Sequence, residues 1–185
     1  MITRPGLITL AVLICTGAAN AEDWANQLSR NIELPAHVWL AEQRSNSDVP
    51  TEFTTDGCSG GMSSLWTFMA ERYPAFSEAH GGVPPWEDCC VTHDQAYHIA
   101  GPDPDPDVSY DARLTADQAL RQCVKETASV RDSVLIEQYG MSETQVRAAY
   151  EAISKSMFQA VRLGGGPCTG LPWRWGYGYP QCWQR

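Results

Sequence analysis

Residues 89–97 have the sequence Cys89-Cys90-Val91-Thr92-His93-Asp94-Gln95-Ala96-Tyr97. On an α-helix, a spacing of four residues places Cys89, His93 and Tyr97 on one face. Cys90 and Asp94 form the neighbouring row, about 100° around the helix axis. If disulfides tie both cysteines to a neighbouring segment, the imidazole and the carboxylate are held rigidly side by side. That arrangement suits a general base that works next to a hard metal ion.

A glycine-rich loop precedes this helix, with the sequence Thr55-Asp56-Gly57-Cys58-Ser59-Gly60-Gly61. Glycines permit backbone turns that expose carbonyl oxygens. Calcium prefers oxygen ligands, including backbone carbonyls. A disulfide at Cys58 would clamp this loop against the helix, so the pattern indicates a calcium site near Asp94.

A second acid, Asp117, lies six residues before Cys123, in a helix predicted to begin near Leu114. Its carboxylate is placed to accept a hydrogen bond from one imidazole nitrogen and so to fix the tautomer of His93. The alternative is that Asp117, in the first turn of its helix, only stabilises the helix dipole.

The N-terminal residues indicate export. Arg4 precedes an apolar run over residues 7–16, and Ala19-Asn20-Ala21 is a small-x-small cleavage site. The run is too short to cross a bilayer, which favours a signal peptide over the alternative of an uncleaved anchor. We therefore expect a signal peptide at residues 1–21 cleaved after Ala21, a single secreted or periplasmic domain at 22–185, and no transmembrane segment.

The cysteine count fits export. Of seven cysteines, Cys15 leaves with the signal peptide, and an even number remains. Three disulfides are therefore predicted, and adjacent Cys89 and Cys90 are poorly placed to pair with each other. A zinc site formed by Cys58, Cys89, Cys90 and His93 is the alternative, and it would require thiols that stay reduced.

Charge argues against one class of partner. The chain has 22 Asp and Glu against 13 Lys and Arg, a formal net charge of -9. Such a surface repels phosphate backbones, so nucleic acid is not expected as a partner.

Hydrophobic periodicity predicts a mainly α chain, because strand-like alternation is almost absent. The predicted helices cover 23–33 (interrupted by Pro35, with further turns at 36–43), 62–73, 85 or 86 to about 100, 114 to beyond 130, and 142–163. Ser142 and Gln145 form a capping box for the last one. The tail at 167–185 is rich in Gly, Pro, Trp and Tyr and is predicted to be closed by Cys168 and Cys182.

Several conspicuous residues have plainer interpretations. Asp103, Asp105 and Asp107 alternate with prolines and predict a solvated turn rather than a metal loop. His80 and His98 are predicted at the surface. The tail aromatics either cover the edge of the core or meet a membrane interface; they are Trp173, Trp175, Tyr177, Tyr179 and Trp183.

The motif Cys89-Cys90-x-x-His93-Asp94-x-x-Tyr97 resembles the active-site helix of the secreted calcium-dependent phospholipases A2. The loop at 57–61 is similar to the calcium loop of that family, and Asp117 with Cys123 matches its second catalytic helix. Ser59 stands where the family usually has glycine, and residues 62–85 look like an insertion. Many members have an extra disulfide between the positions that Ala96 and Ala116 occupy here. Both cysteines of that disulfide are replaced by alanine in this chain.

The resemblance implies a disulfide-linked fold with two antiparallel catalytic helices, to which this chain adds helices in its N-terminal part, in the 62–73 insertion and at 142–163. It implies the disulfides Cys58–Cys90 and Cys89–Cys123, and it leaves Cys168 with Cys182.

The resemblance also implies a site. His93 would take a proton from water, Asp117 would orient His93, and Tyr97 would support the pair. Calcium would be held by the Asp94 carboxylate and by the carbonyls of the loop residues Gly57, Ser59 and Gly61. Some bacterial relatives use an aspartate of the loop, which makes Asp56 an alternative ligand.

The implied activity is calcium-dependent hydrolysis of the sn-2 ester of glycerophospholipids at a membrane or micelle surface. No Gly-x-Ser-x-Gly motif is present, which agrees with water as the nucleophile. Two alternatives remain open: a catalytically defective phospholipase A2-like binding module or toxin, and a structural domain in which the motif is accidental.

Overall fold

The computed structural model describes residues 8–47, 49–58 and 61–183, with side chains from residue 27 onward except those of residues 61 and 62. Within these ranges the chain is helical and has no strand. The helices are α1 (Ile8–Asn46), α2 (Gly61–Arg72), α3 (Pro74–His80), α4 (Glu87–Ile99), α5 (Pro106–Tyr139) and α6 (Glu143–Gly164). The prediction of a mainly α chain is confirmed.

Helix α1 continues through Pro35, so the predicted interruption there is wrong. Proline removes one backbone donor and crowds the preceding turn, which disfavours a helix interior. Contacts on both sides of Pro35 offset this cost. Arg30 pairs with Asp111 of α5 at 2.8 Å, and His37 and Leu40, two and five residues beyond the proline, are buried. Tertiary packing therefore overrides the local signal.

Helix α5 begins at Pro106 rather than near Leu114. Asp105 is the N-cap, and its side chain accepts hydrogen bonds from the N–H groups of Asp107 at 2.9 Å and Val108 at 3.1 Å. Proline at the first helical position needs no donor there. Asp105 of the predicted turn therefore caps a helix, and Asp107 lies in the first turn of that helix.

A hydrophobic core fills the space between α4, α5 and α6. Its buried members include Trp86, Leu120, Val124, Val146 and Tyr150. The capping box predicted for α6 is present, with Ser142 and Gln145 each accepting from the other's backbone N–H.

Three disulfides join Cys58 to Cys90, Cys89 to Cys123, and Cys168 to Cys182, with Cα–Cα distances of 5.3, 5.8 and 5.4 Å. These are the expected pairs. They tie the glycine loop to α4 and α4 to α5, and they close the tail. Since the cysteines are oxidised, the alternative zinc site has no thiols to use.

His80 and His98 are buried, so their predicted surface positions are wrong. His80 packs against Trp66 and Tyr139, and His98 packs against Tyr177 of the tail. The aromatic partners are distant in sequence, which is why local pattern did not reveal them.

The tail aromatics divide into two groups. Trp175 is buried, packs edge-on against Tyr97 and donates a hydrogen bond to Ser109, whereas Trp183 is 60% exposed. Trp175 therefore covers the core edge, as one of the two interpretations expects.

No helix in the described part of the chain combines the length and the apolar character that crossing a membrane requires. The predicted signal peptide lies outside the described residues as far as residue 7. From Ile8 onward its backbone forms the start of α1.

Candidate active site

The site forms where α4 and α5 face each other. His93 on α4 contacts Asp117 on α5, one helical turn from the disulfide between Cys89 and Cys123. Cys89 is paired with Cys123, whereas His93, one turn later on α4, is paired with the earlier residue Asp117 of α5. The two helices are therefore antiparallel. The imidazole Nε2 lies 2.8 Å from Asp117 Oδ1. The residues that the sequence predicted to meet are thus in hydrogen-bond contact.

Asp117 lies about three turns inside α5, not in its first turn. The helix dipole acts mainly within the first turn, so the alternative role of Asp117 as a helix-terminal acid is wrong. The side chain is fully buried. Burial alone would raise the pKa of Asp117, but the hydrogen bond with His93 and the charge of Arg113 hold that pKa below its ordinary value. Asp117 is therefore an ionised acceptor at neutral pH.

The charge of Asp117 fixes the tautomer of His93. A carboxylate only accepts hydrogen bonds, so Nε2 carries the ring proton and Nδ1 of the neutral imidazole is free to act as an acceptor. Nδ1 lies 4.0 Å from Asp94 Oδ1, and both residues line the same cavity. The imidazole therefore offers its basic nitrogen on the cavity side.

Tyr97, one turn after His93, is 1% exposed and donates a hydrogen bond of 2.7 Å to Asp117. Burial and the nearby charge of Asp117 raise the pKa of Tyr97 well above its ordinary value. The phenol therefore stays protonated and remains a donor. Its ring centroid lies 4.1 Å from that of His93, so the two rings also restrain each other.

A cavity of about 480 Å³ is lined by His93. The apolar residues of its wall come from α5, α6 and the tail: Leu120, Met157, Ala160, Val161 and Trp173. Its polar residues include Asp56, Gly57 and Asp94. The cavity therefore suits a ligand that has a long apolar portion next to a polar, reactive one.

Asp94 stands at the polar part of the cavity and accepts a hydrogen bond of 2.6 Å from Thr55. Burial raises the pKa of Asp94, and repulsion from Asp56 and Glu87 adds to the effect, against the hydrogen bond from Thr55 and the neighbouring His93. Burial, with the charges of Asp94 and Asp56, likewise raises the pKa of Tyr177 to about 12. Negative charge thus accumulates at this end of the cavity.

The glycine loop passes very close to the start of α4. Gly57 has a φ of +65°, and a Cβ at this position would lie 1.8 Å from a carboxylate oxygen of Glu87. The Cys58 N–H donates to the same carboxylate at 3.3 Å, and the Cys58–Cys90 disulfide fixes the loop to the helix. Only glycine fits at position 57 without displacing Glu87.

The predicted calcium ligands are only partly within the described residues. Gly57 and Asp94 line the same cavity, with Asp56 beside them. Gly61 begins α2, and Ser59 lies outside the described residues. In the described part of the chain, no group of three or more His, Cys, Asp or Glu side chains is placed to hold a metal ion.

Two arginines belong to the site and were not found from the sequence. Arg162 of α6 donates from Nη1 to Asp117 Oδ2 at 3.0 Å, and the fully buried Arg113 donates to the Tyr97 hydroxyl at 3.1 Å. A signal for Arg113 existed, since Ser109, Arg113 and Asp117 are spaced by four residues. The predicted start of α5 near Leu114 hid it.

Comparisons with protein-family models, with curated proteins and with solved structures find no match to this chain.

Proposed function

We propose that the chain is a secreted, calcium-dependent phospholipase A2 that hydrolyses the sn-2 ester of glycerophospholipids. One observation carries the proposal. His93, hydrogen-bonded to Asp117, lines a cavity whose wall combines apolar side chains with the carboxylates of Asp56 and Asp94. The disulfide-linked antiparallel helices that hold this pair are the arrangement implied by the resemblance to that family.

The chemistry follows from the fixed tautomer. His93 Nδ1 removes a proton from a water molecule, and the resulting hydroxide adds to the ester carbonyl carbon. Asp117 stabilises the imidazolium that forms, because it already accepts the hydrogen bond from Nε2. The tetrahedral intermediate then collapses, the carbon–oxygen bond to the glycerol breaks, and His93 returns the proton to the departing oxygen. The products are a fatty acid and a lysophospholipid.

The acidic end of the cavity supports a calcium site. Asp94 and the carbonyls of Gly57, Ser59 and Gly61 would hold the ion, with Asp56 as the alternative side-chain ligand. Bound calcium supplies charge that polarises the ester carbonyl and binds the lipid phosphate. The raised pKa of Asp94, due to burial and to repulsion from Asp56, is the mark of a carboxylate that a cation would stabilise.

The apolar wall supports a lipid substrate. Met157, Ala160 and Val161 belong to the last turns of α6, and Leu120 of α5 lines the same cavity. An acyl chain that lies along these side chains leaves its ester beside His93. Burial of apolar surface would provide most of the binding free energy, with the polar groups fixing orientation.

A hydrolysis assay tests the proposal. Vesicles of a phospholipid with different acyl chains at sn-1 and sn-2 are incubated with the protein in calcium or in a calcium chelator, and the released fatty acid is identified. The sn-2 chain should be released only in calcium, and Asp94→Asn should remove that dependence together with most of the activity. Vesicle binding without release of fatty acid would overturn the proposal in favour of a binding module.

A further inference from the structure

Glu33 lies on α1, away from the residues of the proposed reaction, yet it is connected to them. Its carboxylate accepts a hydrogen bond from Arg162 Nη2 at 2.8 Å through Oε2, and another from Arg113 through Oε1. The Glu33 side chain is only 13% exposed. One buried carboxylate therefore bridges two arginines that come from different helices.

Both arginines also donate hydrogen bonds to residues around His93. Arg162 donates to Asp117 Oδ2 at 3.0 Å with the nitrogen that does not contact Glu33. Arg113 donates to the Tyr97 hydroxyl, which in turn donates to Asp117 Oδ1. Glu33 thus contacts the donor to Asp117 Oδ2 directly, and it is linked to the Tyr97 donor of Oδ1 through Arg113.

Charge balance gives Glu33 a second effect. The two guanidiniums face two carboxylates, Asp117 and Glu33, in a region where Arg113 is fully buried. Without the charge of Glu33, the two cations would face only the single carboxylate of Asp117. Removing one partner of a largely buried ion pair leaves an uncompensated charge, which is costly. Arg162, at 14% exposure, has a route to solvent and would release Asp117.

Glu33 is itself held in place from the side opposite the site. His37, one turn further along α1, lies 3.0 Å from Glu33 Oε1 through Nε2 and 2.9 Å from Ser109 Oγ through Nδ1. Trp175 of the tail donates to the same Ser109 hydroxyl at 2.9 Å. Burial lowers the pKa of His37, so this ring is neutral at neutral pH and adds no third cation.

We propose that Glu33 is a positioning residue for the reaction: it bridges Arg113 and Arg162 so that Asp117 stays aligned with His93. The inference rests on the proposed function and deepens it, because it makes activity depend on a carboxylate of the N-terminal helix that never touches the substrate.

The test compares Glu33→Gln with Glu151→Gln. Glu151 is a matched control, since it also bridges two cations, Arg121 and Lys125, but does so at the surface. Two readouts are taken: kcat and KM on phospholipid vesicles, and the proton resonance of the His93 Nε2–H in protein with ¹⁵N-labelled histidine. A proton shared with a buried carboxylate resonates far downfield, and its position reports on the distance to Asp117.

Glu33→Gln should lower kcat by about 10- to 100-fold with little change in KM, a loss of the size found when the partners that orient metal ligands are replaced. It should also move or broaden the His93 resonance, whereas Glu151→Gln should change neither. The loss in the double variant with Arg162→Gln should be smaller than the sum of the two single losses, because both changes break the chain of contacts through Arg162. A wild-type kcat and resonance in Glu33→Gln, or fully additive losses in the double variant, would overturn the inference.

Two further controls distinguish a failure of this inference from a variant that does not fold and from a failure of the proposed function. If Glu33→Gln does not fold, Glu33→Asp keeps the charge but draws the carboxylate back, and it should show the same changes at smaller size; no change in Glu33→Asp would overturn the inference. If the wild-type protein does not hydrolyse phospholipids, the proposed function fails, and the His93 resonance alone then decides the role of Glu33.

Discussion

Replacement of His93 by glutamine separates catalysis from folding. General-base catalysis by a positioned side chain is worth about 10²–10⁴-fold in rate, so His93→Gln should lower kcat on vesicles by that factor. The amide N–H of glutamine can still donate to Asp117, which avoids an unpaired buried carboxylate. The main loss of stability is the ring contact with Tyr97, at 4.1 Å between centroids.

That ring contact is worth roughly 1 kcal/mol. For a chain of this size, the melting temperature should therefore fall by only about 2–4 °C. The measurements are steady-state hydrolysis, calorimetric titration with calcium, and thermal unfolding followed by circular dichroism. Calcium affinity should be close to that of the wild type, because His93 donates no ligand.

His98→Gln is the matched control for this variant. His98 lies on the same helix and is also buried, but it packs against Phe53 and Tyr177 and makes no contact with Asp117. Its hydrolysis rate per folded molecule should stay near the wild-type value. Activity of His93→Gln within about tenfold of the wild type would remove His93 from the role of general base.

Three further results are expected. Asp94→Asn should weaken calcium binding in a calorimetric titration without lowering the melting temperature of the calcium-free protein, because it removes a buried charge that Asp56 and Glu87 repel; unchanged affinity would count against Asp94 as a ligand. Chelation should stop turnover with little change in melting temperature, since three disulfides contribute to stability, and a large drop would contradict this. Denaturant titrations should show a fall in the unfolding free energy below about pH 4. Despite burial, the pKa values of Glu33 and Asp117 are lowered by their hydrogen bonds and by arginine charges. The ionised carboxylates of Glu33 and Asp117 therefore stabilise the folded state fully above their unfolded-state pKa values. This contribution to the unfolding free energy is lost as the pH falls through their folded-state pKa values. Rising stability between pH 4 and 3 would refute this sign.

The helices of the site could be predicted because their signals are local or covalent. The four-residue spacing of Cys89, His93 and Tyr97 needs only a helix to bring these residues to one face. The capping box at Ser142 likewise depends on residues three apart. The three disulfides then fix how these segments meet, so the contact between His93 and Asp117 followed once the pairing was known.

The missed features depend on partners far away in the chain. The helix continues through Pro35 because α5 supports α1 on both sides of the proline, and no nearby residue reports this. The start of α5 is difficult to predict because Asp105 and Pro106 are residue types that are common in loops. In the structure they are the N-cap and the first residue of the helix. Glu33 and Arg162, separated by most of the chain, carry no local pattern at all.

Hydrolysis in ¹⁸O-labelled water tests the central claim, that an oxygen atom from water adds to the sn-2 carbonyl carbon and the bond from that carbon to the glycerol oxygen breaks. The fatty acid released from the sn-2 position, analysed by mass spectrometry, should carry one ¹⁸O atom, and the lysophospholipid should carry none. Release should require calcium. Label in the glycerol product, release from sn-1, or no release in calcium would contradict the account.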